Sequence, residues 1–374
     1  RTTVIVTMAS TLAIAVAAWR DASLDVFLWL FVAAGIAHHA LAHWRLRGRG
    51  LLVDAGGPLQ ASLGRRVDRH LWWTVVLCVV AAFSNRSIET MLLNAYVGPA
   101  EVGFFAIAVA LSRGGVELLC AGPNAIVMPA MGHAYGVGGF AAVSELMART
   151  LRYFTFLGLL LVGVGVGMSQ AAIDIVYGSA YQPAVDVLRL LMVAGGLTLP
   201  MGVLGALLST TDNQKLRAAV AAVSLGISAL AAWALIPRWG LDGAMLASAA
   251  SSVLIFVAVL TATARWLSLR LPWRELSRLY GAAAVAALAS VALARGMAAG
   301  AVPAGLSPAS WQATAQAACG LVFALLFVLS TVWLRAWNQA DAAPIRAVGR
   351  RMPGGPRARA WIERWIDRLP PSFR

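Results

Sequence analysis

About ten stretches of roughly twenty predominantly apolar residues follow one another along this chain, separated by short polar, glycine- or proline-bearing breaks. A run of that length crosses the hydrocarbon of a bilayer as a helix, where every backbone polar group must be satisfied within the segment. Composition agrees: 60% of the 374 residues are hydrophobic, 12% are charged and mean hydropathy is +0.76, too little charge to cover a soluble domain. The sequence therefore predicts an all-α polytopic membrane protein with about ten transmembrane helices.

The runs fall at 4–19, 24–44, 71–98, 103–131, 154–176, 185–210, 216–235, 241–266, 279–297 and 311–337. Between the fourth and fifth, Phe140, Val143, Met147 and Leu151 share one side of a helix, so a segment near 137–150 is expected to lie flat in the interface. The longest hydrophilic interruption before the tail, 45–70, carries Arg45, Arg47, Arg49, Arg65, Arg66 and Arg69 and is the expected boundary between two units.

The net charge of +14 sits mostly in short loops, where it reads as an orientation signal and a contact with anionic lipid rather than with nucleic acid. With the 45–70 loop cytoplasmic, alternation places Arg149 and Arg152, Lys215 and Arg217, and Arg265, Arg270, Arg274 and Arg278 on that side too. Both ends of the chain then lie in the cytoplasm. In the tail, 338–374, Trp361, Ile362, Trp365, Ile366 and Leu369 line one face of a helix ringed by arginines, the pattern of a segment lying on an anionic leaflet.

Two runs carry charge well inside them: Arg86 with Glu89, and Arg113 with Glu117. A charge at that depth costs at least ~2.5 to 3.5 kcal/mol on insertion scales, so it faces a bundle interior or a wet cavity. Each pair has neighbour spacing on its own helix. Two readings follow, a self-neutralising pair that locks helices together or a hydrated cationic cavity that recognises an anion. Arginine suits the second, because its planar fork grips phosphate oxygens and keeps its charge. Asn85, Asn94 and Asn124 are expected beside the arginines as substrate-binding groups, with Glu89 and Glu117 as counter-charges or ion-coupling sites. Asp174, Asp186 and Arg189, near the outer ends of the fifth and sixth runs, are weaker pathway candidates.

Other chemistry finds little support. Cys78, Cys120 and Cys319 lie in apolar runs without metal-ligand spacing and read as packing residues. His39 and His43 share a face with His38 close by, but they sit at a helix end with no carboxylate nearby. No P-loop, GxSxG or CxxC occurs, Asp212 and Asn213 read as turn residues, and neither a cofactor, a metal nor an enzymatic centre is expected.

From about residue 71 to 265 the chain resembles the C-terminal half of polysaccharide flippases of the Wzx type, within the multidrug, oligosaccharidyl-lipid and polysaccharide exporter superfamily. The stretches that carry the resemblance are VGPAEVGFFAIAVAL, IVMPAM, VYGSAYQPAVDVLRLL, STTDNQKL and IPRWGLDGAMLASAAS, in that order. The resemblance implies one six-helix bundle, 71–266, preceded by the last two helices of an incomplete N-terminal bundle, 1–44, and the linker 45–70. An extra helix pair, 267–337, would follow, and a chain opening at Arg1 without methionine is expected to be N-terminally truncated. It also implies alternating-access export of polyprenyl-pyrophosphate-linked oligosaccharide across the bacterial cytoplasmic membrane for cell-surface (lipopolysaccharide or exopolysaccharide) biosynthesis. Polysaccharide polymerase and chain-length proteins are the further partners it implies. The rivals are a multidrug exporter of the same superfamily, which should prefer acidic cavity residues, and a membrane-embedded enzyme or scaffold of polysaccharide assembly.

Overall fold

The computed structural model describes residues 2–48, 61–84, 87–266, 271–299, 308–342, 346, 363 and 366, with no strand among them. The chain divides into two compact units, Arg1–Asp68 and Arg69–Arg374. The first holds α1 (Thr2–Trp19) and α2 (Leu24–Gly48), which pack on each other. The turn between them includes Asp21 at a φ of 49°, a left-handed conformation that a short polar side chain tolerates.

α3 (Ala61–Ser84) leads into the second unit, where α4 (Ser87–Tyr96), α5 (Pro99–Val176), α6 (Pro183–Thr198), α7 (Met201–Thr210), α8 (Gln214–Trp266), α9 (Trp273–Ala299) and α10 (Pro308–Trp333) follow. Seven helices or helix pairs are long and apolar enough to cross a membrane, and Val6–Trp19 is a shorter apolar helix. Two of the seven are broken by glycines with positive φ: α5 at Gly139 (φ 61°, ψ −153°) and α8 at Gly240 (φ 53°, ψ −126°). Each half is long enough for its own crossing, so the all-α polytopic fold expected from the sequence, with about ten crossings, is the one observed.

Glycine rather than proline makes both breaks. Helix continues through Pro123 and Pro129 in α5 and through Pro237 in α8, which breaks three residues later at Gly240. A proline inside a lipid-embedded helix removes one hydrogen bond without reversing the chain, whereas glycine, lacking a Cβ, reaches a positive φ at no steric cost and lets the chain change direction. Residues 137–150, expected in the interface, are helical around that break. Val137 and Gly138 end the first half of α5, and 140–150 run on into the next crossing with Val143 and Met147 fully buried.

The second half of α5 is the spine of this unit, because glycines let its neighbours approach to backbone contact. A methyl group on Gly158 would collide with the carbonyl oxygen of Gly196 on α6, and one on Gly167 would sit 2.6 Å from the Cα of Gly320 on α10. Phe323 and Phe327 of α10 then join Leu159 and the α9 residues Leu279, Ala282 and Ala286 in one core cluster. Past α10, Trp337 stacks on Tyr153 with ring centroids 6.0 Å apart.

The tail helix expected within 338–374 lies largely outside the described residues, as does the centre of the 45–70 linker. Within the tail, Ile366 is buried and Arg346 pairs with Glu363 at 2.9 Å.

Candidate functional site

A cavity of about 500 Å³ lies within the second unit, lined from α3, α4, α6, α7 and α8. α6 and α7 are one apolar crossing interrupted at Pro200, where Gly202 and Val203 bond back three residues to Leu199 and Pro200. Thr198, Met201 and Gly202 line the cavity at that interruption. Irregular backbone at membrane depth is tolerated where it lines such a hollow, which makes the cavity the natural place to look for a site.

α8 gives the cavity one face from each half. Arg217, Val220, Ala221, Ser224, Leu225 and Ser228 recur at helical spacing before Gly240, and Ser252, Ile255, Phe256 and Val259 do so after it. Leu204, Phe256 and Val259 form an apolar cluster in the wall.

Near the start of α8, Arg217 is half-buried and donates from Nη1 to Oγ of Ser209 at 2.6 Å. Ser209 in turn donates to the carbonyl of Gly205 at 2.9 Å, so its lone pair faces the guanidinium. Among the described residues no carboxylate forms an ion pair with Arg217. Eleven residues further along α8, ~16 Å by helical rise, stands Ser228, which donates to Ser251 at 3.2 Å. There Glu89 of α4 is 5% exposed and accepts from Ser248 at 3.4 Å, and Ser252 donates to the carbonyl of Ser248 at 2.6 Å. The cavity is thus cationic near Arg217 and acceptor-rich around Glu89.

Of the residues singled out by sequence, Glu89 lines this cavity. Asn124 stands beside its wall, with Oδ1 3.4 Å from where a side chain on cavity-lining Gly202 would begin. Arg113 and Glu117 are exposed on the first half of α5 and share a stripe with Asn124, while Asn94 is exposed on α4. Neither Arg113, Glu117 nor Asn94 is among the lining residues. Asn85 and Arg86 lie outside the described residues. Asp174 accepts from Gln170 at 3.0 Å and Gln182 at 2.7 Å, joining the end of α5 to the turn before α6. Asp186 pairs with Arg189 at 2.8 Å, and Arg189 reaches Gln316 of α10 at 2.9 Å. These three stand apart from the cavity lining. His39 bonds to the carbonyl of Gly35 on its own helix at 3.0 Å, and Asn213 bonds to Thr211 in the turn before α8. Cys78 is exposed, whereas Cys120 and Cys319 are buried.

Arg217 was read from sequence as an orientation charge. The signal that places it in the cavity is its register: Arg217, Ser224 and Ser228 stand at i, i+7 and i+11, one polar stripe in an otherwise apolar crossing.

In fold the chain is similar to the solved structure of the lipid II flippase MurJ in an inward closed conformation. The TM-score is 0.60 at 10% sequence identity, with 83% of this chain and 61% of that one covered. No family model and no curated protein matches the sequence. The chain spans 61% of the length of that structure, and its own fold is a MurJ-like polytopic helical one.

Proposed function

We propose that this protein is a flippase that carries a polyprenyl-pyrophosphate-linked oligosaccharide across the bacterial cytoplasmic membrane for cell-surface polysaccharide biosynthesis. The observation that carries this reading is a cavity with a guanidinium and a buried carboxylate, inside a bundle whose fold is similar to that of a lipid II flippase. Arg86 and Arg113, with Asn85, Asn94 and Asn124, extend the cationic path on this reading. Glu89 and Glu117 serve as counter-charges or coupling-ion sites. The mechanism is alternating access: the diphosphate is held by arginine, the sugar stays in the hydrated hollow, the chain of the lipid remains among the helices, and rocking changes the exposed side. Both ends of the chain face the cytoplasm, where the basic loops meet anionic lipid. The polymerase and chain-length proteins of polysaccharide assembly would receive the product.

A second reading, a multidrug exporter, is favoured by one observation: buried Glu89 in the cavity wall suits an organic cation. Proteoliposomes of the purified protein separate the two. A fluorescent oligosaccharide on polyprenyl diphosphate should become accessible to an impermeant quencher only when protein is present. Movement of a lipophilic cation with no movement of the lipid-linked sugar would favour the second reading, and movement of neither would remove both.

A further inference from the structure

We propose that Arg217, braced by Ser209, is the seat of a phosphate ester within the cavity, and that the Glu89 end receives the uncharged, hydroxyl-bearing part of the same ligand. The source of the ligand rests on the carrier reading above; its chemistry does not.

Three observations support the phosphate seat. Arg217 lines the cavity while half-buried, and among the described residues its guanidinium donates to a neutral hydroxyl rather than to a carboxylate. A partly desolvated guanidinium with donors to spare is the group that takes a phosphate oxygen pair. Gly205 lines the cavity directly against it: the three atoms nearest to a Cβ built there all belong to the guanidinium, Nε at 3.6 Å, Nη2 at 3.8 Å and Cζ at 3.9 Å, and none is closer than ordinary van der Waals contact. The two nitrogens not bonded to Ser209 therefore border space that glycine leaves open.

The opposite end determines the ligand's direction. Ser228 and Ser252 already donate their protons, to Ser251 and to the carbonyl of Ser248, and Glu89 offers carboxylate oxygens. Such a surface accepts hydrogen bonds from hydroxyl groups and repels a phosphate. With ~16 Å of helix between Arg217 and Ser228, the layout fits a ligand charged at one end and hydroxylated at the other. A volume of about 500 Å³ falls in the usual range of ~300–1,000 Å³ for such sites.

A lipid-borne phosphate can come from two sources, the diphosphate of a transported substrate or the headgroup of a resident phospholipid. Native mass spectrometry of the full chain in neutral detergent, titrated with farnesyl diphosphate, farnesol and phosphatidylglycerol, tests both the seat and its source. Wild type should bind farnesyl diphosphate well above farnesol. Arg217→Gln should lose about tenfold to a hundredfold of that preference, Arg217→Lys should lose less, and Arg149→Gln, at a half-buried arginine paired with Glu145 and outside the cavity lining, should lose none. Gly205→Leu keeps every charge and should exclude the phosphate probes, so the test stands even where Arg217→Gln does not fold. Phosphatidylglycerol competing equally supports a phospholipid headgroup at this seat, and preference for the diphosphate supports a transported substrate. Wild-type binding of both probes by Arg217→Gln and Gly205→Leu overturns the inference. If these variants bind normally and wild type flips its substrate, the carrier reading survives alone. If binding needs Arg217 but no lipid-linked sugar moves, the seat survives alone.

Discussion

Arg152 of α5 donates from Nη2 to Oδ1 of Asp341 across 3.0 Å, and the two residues, 189 positions apart, are 5% and 0% exposed. The hydroxyl of Tyr153 donates to the same oxygen at 2.7 Å, and the backbone N–H of Asn338 donates to Oδ2 at 2.9 Å. The pair fastens the segment beyond α10 onto the second half of α5, with Trp337 stacked on Tyr153 over it.

Breaking a buried ion pair from one side leaves the other charge stranded. Arg152→Met or Asp341→Leu alone should therefore destabilise the protein by about 3–5 kcal/mol, while the double variant should recover most of that loss. Recovery is favoured because Nη1 of Arg152 is buried without a hydrogen-bond partner among the described residues, which leaves part of its desolvation cost uncompensated by them. Unfolding in mixed micelles measures all three variants. Single variants as stable as wild type would show that the contact carries no weight.

The glycine contacts make a second prediction with a built-in control. Gly158→Ala should lower the melting temperature, at a cost of about 1–3 kcal/mol, because its methyl group meets the Gly196 carbonyl and the backbones must part. Gly226→Ala, on α8 with nothing within 4 Å of its Cβ position, should stabilise by about 0.5–1 kcal/mol through helix propensity. A thermal-shift series in detergent gives both signs.

These cases also mark what sequence conveys. The crossings were legible because lipid demands long apolar runs, and Glu89 was legible because a carboxylate inside such a run is anomalous. The Arg152–Asp341 contact was not, since Asp341 ends a three-residue helical turn past α10 and no local pattern pairs it with a helix so distant in the chain. Arg217 was hidden by its neighbours: Lys215 and the turn before it resemble an ordinary cytoplasmic loop, and only the cavity distinguishes the residue on the lining face. Gly139 stood among several glycines and prolines, and only its φ separates the true break from Pro123 and Pro129.

Glu89 should respond differently in stability and in function. It is buried near a serine cluster with no cation paired to it among the described residues, so a carboxylate there retains a desolvation cost that an amide avoids. Glu89→Gln should melt at or above the wild-type temperature and, on the carrier reading with Glu89 as the coupling site, lose the cation dependence of transport. A variant that transports with unchanged ion dependence would remove Glu89 from the coupling role.

Arg113 lies on an exposed stripe of α5 with Glu117 and Asn124, and a charge at that depth is tolerated where it faces water or another bundle rather than acyl chains. On the carrier reading Arg113→Ala should abolish transport at normal expression, and Arg113→Lys should restore part of it, because an ammonium keeps the charge but not the two-pronged grip. Arg86→Ala should behave alike. Full transport by both alanine variants would leave the cationic path to Arg217 alone.

The breaks at Gly139 and Gly240 also fix a parity that labelling can read. Between Arg69 and Lys215 lie the α3–α4 crossing, the two halves of α5 and the α6–α7 crossing. If α5 turns back at Gly139 that is an even number, so cysteines at 69 and 215 must emerge on the same side; were α5 a single crossing, they would emerge on opposite sides. The same reasoning applied to α8 places 238 opposite both, because the break at Gly240 lies next to it. In a background lacking Cys78, Cys120 and Cys319, an impermeant maleimide should therefore label 69 and 215 only after cytoplasmic access is opened, and label 238 in intact cells. Arginine in the loops sets which side is which, as short cytoplasmic loops hold Lys and Arg. Labelling of 69 and 215 from opposite sides would mean that α5 crosses once, and labelling of both from outside would invert the orientation while keeping the helix count.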